Sequence, residues 1–261
     1  MFRILTCNVR TSYANDAEND WEYRRRACSD VIASSEPDLI GFQEMTVEQF
    51  DDLKQSFGGF ASLATLDEPA SGGPVNTIFY RKNRFALQSS GAYWLSESPH
   101  VPGTQSWDSR CIRLAVWGQL LDLESGRSVR FINTHLDHVG QTARVEQARL
   151  INEDAGAYPK VFPQLLTGDM NADRSNAAIE SFFQAGWTDT YESVHGAEEP
   201  GFTFHSFLGP EFSSDGVGKI DWIFARGRIR AIEAEIIRDA PGGRYPSDHY
   251  FVSAALEYLD Q

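Results

Sequence analysis

The residues of this chain with the most chemistry to offer stand where short apolar runs stop. Asn8 follows Ile4-Leu5-Thr6-Cys7, Glu44 follows Leu39-Ile40-Gly41-Phe42-Gln43, and His135 follows Phe131-Ile132-Asn133-Thr134. Asp169 and Asn171 follow Leu165-Leu166-Thr167-Gly168, and Asp248-His249 precede Tyr250-Phe251-Val252. Asp221 lies inside Lys219-Ile220-Asp221-Trp222-Ile223-Phe224. A carboxylate within such a run is costly to bury alone, so it calls for a partner. Singly, each residue has an ordinary use. Asn and Asp form turns, a His before a strand serves structure, and Ser247-Asp248-His249 suits a tight turn. Together they suit one chemistry. Carboxylates without cysteine ligands favour a hard cation, Mg²⁺ or Mn²⁺, over structural zinc. His and Asn can hold phosphate oxygens and stabilise developing charge. A carboxylate beside a water can orient and deprotonate it. The sum is metal-assisted hydrolysis of a phosphoester.

Such residues need strands and helices to bring them to one rim. The apolar spacing predicts strands at Phe2–Asn8, Asp38–Phe42, Val75–Arg81, Phe85–Leu87, Ile112–Leu123, Val129–Asn133 and Gln164–Thr167. Further strands are expected at Lys219–Ala225, Ile229–Ile237 and Tyr250–Tyr258. Helices are expected at Trp21–Ser34, capped by Asp20, after the capping-box pattern Thr46-x-x-Gln49, and at Thr142–Glu153. Ser175 is placed to cap another, carrying Ile179, Phe182 and Phe183. Helices and strands alternate throughout, which predicts α/β layers in one domain spanning 1–261. Strand ends along one edge of such layers are where ligands are usually held. The loops at 65–76, 96–109 and 195–218 are long, and long loops in a compact domain tend to form functional rims.

Composition narrows the partners. With 261 residues and 41% apolar content, the chain can bury one sizeable core. A mean hydropathy of -0.38 fits a soluble protein, and no apolar run approaches the ~20 residues of a membrane helix. The opening Met1-Phe2-Arg3-Ile4 lacks the pattern of a signal peptide, and three widely spaced cysteines fit reduced thiols in a cytoplasm. The net charge of -14 disfavours nucleic acid, whose binding draws on Lys and Arg to neutralise phosphates.

The ordered set of motifs resembles the endonuclease/exonuclease/phosphatase superfamily. They run from Thr6-Cys7-Asn8-Val9 through Gly41-Phe42-Gln43-Glu44, Asn133-Thr134-His135-Leu136 and Gly168-Asp169-Met170-Asn171. Ile220-Asp221-Trp222-Ile223 and Ser247-Asp248-His249 complete the series. The resemblance implies a four-layer sandwich, two mixed β-sheets face to face with helices outside. It implies Glu44 as principal metal ligand, Asn8 beside it, and Asp248 near the metal. It implies Asp169 as the residue that activates water, and Asn171 as a holder of that water or of a phosphate oxygen. His135 and His249 would contact phosphate, His249 being oriented by Asp221. Two departures from relatives stand out. Arg10 occupies a position that is acidic in abasic-site endonucleases, which adds a phosphate-binding cation. The approach Gly72-Gly73-Pro74-Val75-Asn76 lacks a Glu that many relatives carry. Arg110, His138 and His205 are further candidates for substrate contact. The expectation is a hydrolase of a small or exposed non-nucleic phosphoester, with Mg²⁺ or Mn²⁺. A Mg²⁺-dependent nuclease and a catalytically silent binding module of the same fold are the alternatives.

Overall fold

The computed structural model describes residues 1–65, 75–196 and 200–260. Gly72, Gly73 and Pro74, and most of the 65–76 loop, lie outside the described residues. Two mixed six-stranded sheets stack face to face. The first contains β1 (Phe2–Asn8), β2 (Leu39–Gln43), β3 (Phe60–Thr65), β4 (Asn76–Arg81), β11 (Ile229–Ile237) and β12 (Phe251–Tyr258), in the order β11-β12-β1-β2-β4-β3. The second contains β5 (Phe85–Trp94), β6 (Leu114–Asp122), β7 (Ser128–His135), β8 (Gln164–Asp169), β9 (Thr188–Asp189) and β10 (Asp221–Arg226), in the order β5-β6-β7-β8-β10-β9. Helices α1 (Trp21–Ser34) and α2 (Val47–Ser56) cover the first sheet. Helices α3 (Gln141–Gly156) and α4 (Ala177–Gln184) cover the second, and α5 (Thr190–His195) follows β9.

Alternation along each strand builds the four layers, because successive side chains point to opposite faces. Ile4, Leu39, Ile78, Phe131, Leu165, Ile223 and Val252 meet between the sheets. Their chain neighbours Leu5, Ile40, Phe79 and Phe251 face Val31 and Ile32 of α1 and Leu53 of α2. On the far side Ile132, Leu166 and Phe224 face Ala148 and Ile151 of α3 and Phe182 of α4.

The two sheets repeat one plan. In each, a single parallel pair is joined by a helical crossover: β1 to β2 through α1, and β7 to β8 through α3. Antiparallel strands flank both pairs. Parallel neighbours end at the same edge, so Asn8 lies opposite Gln43 and His135 opposite Asp169. Asp221 then meets Asp169 across the antiparallel β8–β10 pair. The polar strand ends are thereby gathered at one rim.

Just beneath that rim a buried polar cluster joins the sheets. The Asn133 side chain donates to the carbonyls of Phe42, at 2.7 Å, and Thr77, at 3.2 Å. Its oxygen accepts from Gln43 Nε2 at 2.7 Å and Thr167 Oγ1 at 3.0 Å. Gly41 makes room for this cluster, since a Cβ there would collide with Thr167 Oγ1 and the Asn133 amide. Asn133→Ala leaves these partners buried and unmatched, each costing about 1–3 kcal/mol. A clear fall in Tm is expected, and a Tm within a degree or so of wild type would contradict it.

Some elements differ from expectation. The capping box forms: Thr46 Oγ1 accepts from Gln49 N, and Gln49 Oε1 from Thr46 N. Asp20 stands before α1 but makes no side-chain cap, its Oδ1 accepting from Asp16 N at 2.7 Å instead. Asn176, not Ser175, caps α4, because the Ser175 hydroxyl is turned to Asp173. β5 extends to Trp94, well beyond Leu87, as one edge of its sheet. Asp221 opens β10 rather than lying within it.

Candidate active site

Three site residues adopt left-handed backbone conformations where the chain leaves, or has just left, a strand. Arg10 has φ of 52°, Glu44 of 62° and Asn171 of 46°. Non-glycine residues carry strain there, and it persists only where surrounding contacts hold it. The contacts are visible. Asn8 Nδ2 donates to Glu44 Oε1 at 3.1 Å and to Asp169 Oδ2 at 3.0 Å, while its Oδ1 accepts from Arg10 N at 3.0 Å. Glu44 Oε2 accepts from Thr11 N at 3.1 Å, and Asp169 Oδ1 from Asn171 N at 2.9 Å. Asn8 is therefore the buried clasp between the two halves of the sandwich.

The histidines fall into two electrostatic states. His249 Nδ1 donates to Asp221 Oδ2 at 2.9 Å, and its Nε2 lies 3.8 Å from Asp169 Oδ2. Burial alone would depress this imidazole, but Asp221, with Asp169 and Asp248, holds it well above its usual range. With Nδ1 engaged by Asp221, its Nε2 is the nitrogen left to face Asp169. His135 is the opposite case. Burial, then the charges of Arg113 and His249, push it well below the usual range. The neutral ring accepts from Asn171 Nδ2 at 2.9 Å.

The carboxylates are crowded. Burial raises Asp169 above the ordinary carboxylate range, helped by the charges of Asp221 and Glu44. Burial also raises Asp248, with Glu44 again contributing, although Arg10 Nε stands 3.6 Å away. Two carboxyls held above their normal range beside a third mark a place short of positive charge. Oxygen donors from Glu44, Asp169 and Asp248, with no sulfur among them, fit a hard divalent cation. Carboxylate oxygens of Glu44 and Asp169 and a nitrogen of His135 lie within 4.8 Å of one another, as do ligand atoms of Asp169, Asp221 and His249. Cys111, Asp137 and His138 are equally close. There, however, the Asp137 carboxylate already accepts five hydrogen bonds, from Ser109 Oγ and the amides of Arg110, Cys111, Val139 and Gly140. Against the effect of burial, those bonds hold Asp137 down to about 2, and its work is to tie two loops together.

Around these groups lies a cleft of about 570 Å³. Glu44, His135, Asp169, Asn171, Asp248 and His249 all line it, as do Arg10 and His138. Two expectations need correction. Arg110 is exposed and does not line the cleft; its backbone amide serves Asp137. His205 is wholly buried between the rings of Tyr245 and Tyr250, 4.6 and 4.1 Å between centroids. Its Nδ1 accepts from Gly209 N, and burial lowers it to about 4, so it supports the loop instead of touching substrate. Arg10 lines the cleft, with its guanidinium held by both Asp16 oxygens at 2.9 Å. Of the arginines near the predicted rim, Arg113 is the one that lines the cleft beside Arg10, and it is 8% exposed. Its Nη2 lies 3.3 Å from His138 Nδ1, its Nε has no hydrogen-bond partner, and no carboxylate pairs with it among the described residues. Its signal in the sequence was a place just before an apolar strand, the position that also marks Asp248-His249.

A model of the endonuclease/exonuclease/phosphatase family matches residues 5–249. The chain belongs to that family. Members of that family are phosphoester hydrolases and generally depend on a divalent metal. A family member from Bacteroides vulgatus is 30% identical, with TM-score 0.88 and 98% of both chains covered. The mannosyl-6-phosphatase Bt3783 of Bacteroides thetaiotaomicron is 27% identical, with TM-score 0.89, over 99% of this chain and 100% of that one. Among curated proteins, the Saccharomyces cerevisiae CCR4-Not 3'-5'-exoribonuclease subunit Ccr4 is 21% identical over 92% of this chain. The chain spans 35% of Ccr4, and 27% of the Acanthamoeba polyphaga mimivirus protein R895, so it is far shorter than these relatives of the family. Among the described residues no helix is long and apolar enough to cross a membrane.

Proposed function

We propose that this enzyme, acting as one domain in the cytoplasm, hydrolyses a compact non-nucleic phosphoester with Mg²⁺ or Mn²⁺. The reaction is in-line attack by an activated water. Glu44 is the principal metal ligand, with Asn8 and Asp248 at its side, and the bound cation would neutralise charge on the phosphate. Asp169, whose raised carboxyl favours taking up a proton, orients and deprotonates the water. Asn171 holds that water or a phosphate oxygen. His249, kept protonated and aimed by Asp221, donates from Nε2 to the phosphate, and His135 offers a neutral contact beside it. Arg113, which has no carboxylate partner among the described residues, supplies positive charge for a substrate oxygen.

The observation that carries the choice of substrate is the fate of the arginines. A polyanion needs a ridge of free cations along the cleft. Arg10 is held by Asp16, Arg81 by Asp38 and Arg84 by Asp122. Arg25 and Arg26 lie near Asp52 and Asp30, and Arg24 is buried. That leaves Arg113 in the cleft, Arg110 exposed outside it, and a net charge of -14, which suits one phosphate group better than a strand. The likeness to a mannosyl-6-phosphatase adds sugar phosphates to the first substrates to try.

The test compares kcat/KM for hexose phosphates, p-nitrophenyl phosphate and bis(p-nitrophenyl) phosphate with single- and double-stranded DNA and RNA. A small ester is expected to win, changing less than about tenfold between ~50 and ~200 mM salt. Efficient cleavage of nucleic acid with a steep fall over that range would mean several phosphates are neutralised at once, and the nuclease reading would replace this one.

A further inference from the structure

The buried face of α1 is apolar at Ala27, Cys28, Val31 and Ile32, yet it also carries Arg24, which is wholly buried. A buried guanidinium normally sits against a carboxylate. Here its hydrogen bonds go to backbone carbonyls. Nε donates to Asn19 O at 2.8 Å, Nη2 to Arg10 O at 2.6 Å, and Nη1 to both Val9 O at 2.6 Å and Pro246 O at 2.9 Å. The Trp21 and Phe207 rings lie 5.1 and 5.8 Å from its centre.

These carbonyls belong to segments far apart in sequence. Val9 and Arg10 continue from Asn8 at the end of β1. Pro246 stands two residues before Asp248 and three before His249. Arg24 thus fastens the chain carrying the clasp of the cleft to the chain carrying two of its charged groups. Gln49 backs the same point from the other side. Its Nε2 donates to Arg10 O at 2.7 Å, while its Oε1 accepts from Thr46 N, two residues beyond Glu44. Only a planar fork with five N–H groups reaches four carbonyls at once; a lysine ammonium has three donors on one point.

We propose that Arg24 is a positioning residue for hydrolysis, setting the separation between the β1 end with Asn8 and the 246–249 segment with Asp248 and His249. This rests on the reading that those three residues act in the reaction. Its action is through the backbone, without touching substrate.

The test uses Arg24→Lys and Arg24→Ala in the full chain. The first readout is hydrogen exchange without added metal or substrate. In Arg24→Lys, exchange should rise together in peptides covering 9–12 and 245–249, roughly tenfold, while 27–34 of α1 stays protected. The second readout is p-nitrophenyl phosphate hydrolysis with Mn²⁺. There kcat should fall roughly 10–100-fold, the scale of a misplacement transmitted from outside the reacting groups. KM should stay within about threefold. In Arg24→Ala, millimolar guanidinium chloride should restore part of kcat, and urea should not. Should Arg24→Ala not fold, Arg24→Lys decides. Loosening confined to 17–26, activity lost only in step with the folded fraction, or wild-type kcat in Arg24→Lys would overturn the proposal. A wild-type enzyme inactive on every phosphoester would sink the functional reading alone, because the paired loosening of the two segments would still be read by exchange.

Discussion

Asp169→Asn is expected to lower kcat by roughly 10²–10⁴-fold, the range for loss of a general base. The fold should survive, because Asn retains an oxygen for the Asn171 amide, and only the bond from Asn8 Nδ2 loses its acceptor. The raised carboxyl also means that the folded protein resists this charge. A carboxyl raised by folding takes up protons on folding, so its penalty grows as pH rises through its folded value. Asn carries no such penalty. In metal-free protein the Tm of Asp169→Asn should therefore gain on wild type between about pH 5 and about pH 8. His249→Ala should depress kcat by on the order of 10²–10³-fold through loss of one charge-stabilising donor. The double mutant should lose less than the product, since the two side chains face each other at 3.8 Å and act as a unit. Near-wild-type kcat in either single mutant would show that the roles are wrongly assigned.

How much of this site could be read from the sequence depended on the range of the interaction involved. Asn8, Glu44, His135 and Asp169 were legible because a polar residue ending an apolar strand is a local pattern. Parallel pairing then places such ends side by side. The four-layer plan was legible only through resemblance, since the two halves share topology without an evident sequence repeat. β3 and β9 were not anticipated. The first is Phe-Ala-Ser-Leu-Ala-Thr, with small residues and weak alternation, and the second has two residues. Which arginines stay free was illegible because partners such as Asp122 for Arg84 and Asp38 for Arg81 lie about 40 residues away in sequence. His205 misled for a related reason. Aromatic neighbours suggest a pocket lining, but Tyr245 and Tyr250 come from another segment and enclose the ring. Arg24 did leave a signal. It falls on the stripe Trp21, Arg24, Cys28, Val31, three or four residues apart, where a charge has no ordinary business.

Exhaustive chelation is expected to abolish turnover, by at least about 10³-fold, and Mg²⁺ or Mn²⁺ to restore it, because a metal supplies several kcal/mol of charge stabilisation in such reactions. The cleft supports this from within. Burial and mutual repulsion raise Asp169 and Asp248, and the Glu44 charge contributes to both. A divalent cation among them relieves that repulsion, so binding should stabilise the folded protein and raise its Tm with metal concentration. At a hundred times Kd the gain is about 2.7 kcal/mol. Protons compete for the same oxygens, so the metal-induced rise should shrink as pH falls. Glu44→Gln removes one anionic donor; its oxygen can serve Thr11 N or Asn8 Nδ2 but not both, and relief of the repulsion with Asp169 and Asp248 offsets the lost bond. The metal concentration for half-maximal activity should rise, with partial rescue in excess metal, while the metal-free Tm stays near wild type. Titrating Mn²⁺ into wild type and Glu44→Gln, with Tm and kcat read on the same samples, separates the outcomes. Full activity after chelation, or an unchanged Mn²⁺ response in Glu44→Gln, would remove Glu44 and its metal from the mechanism.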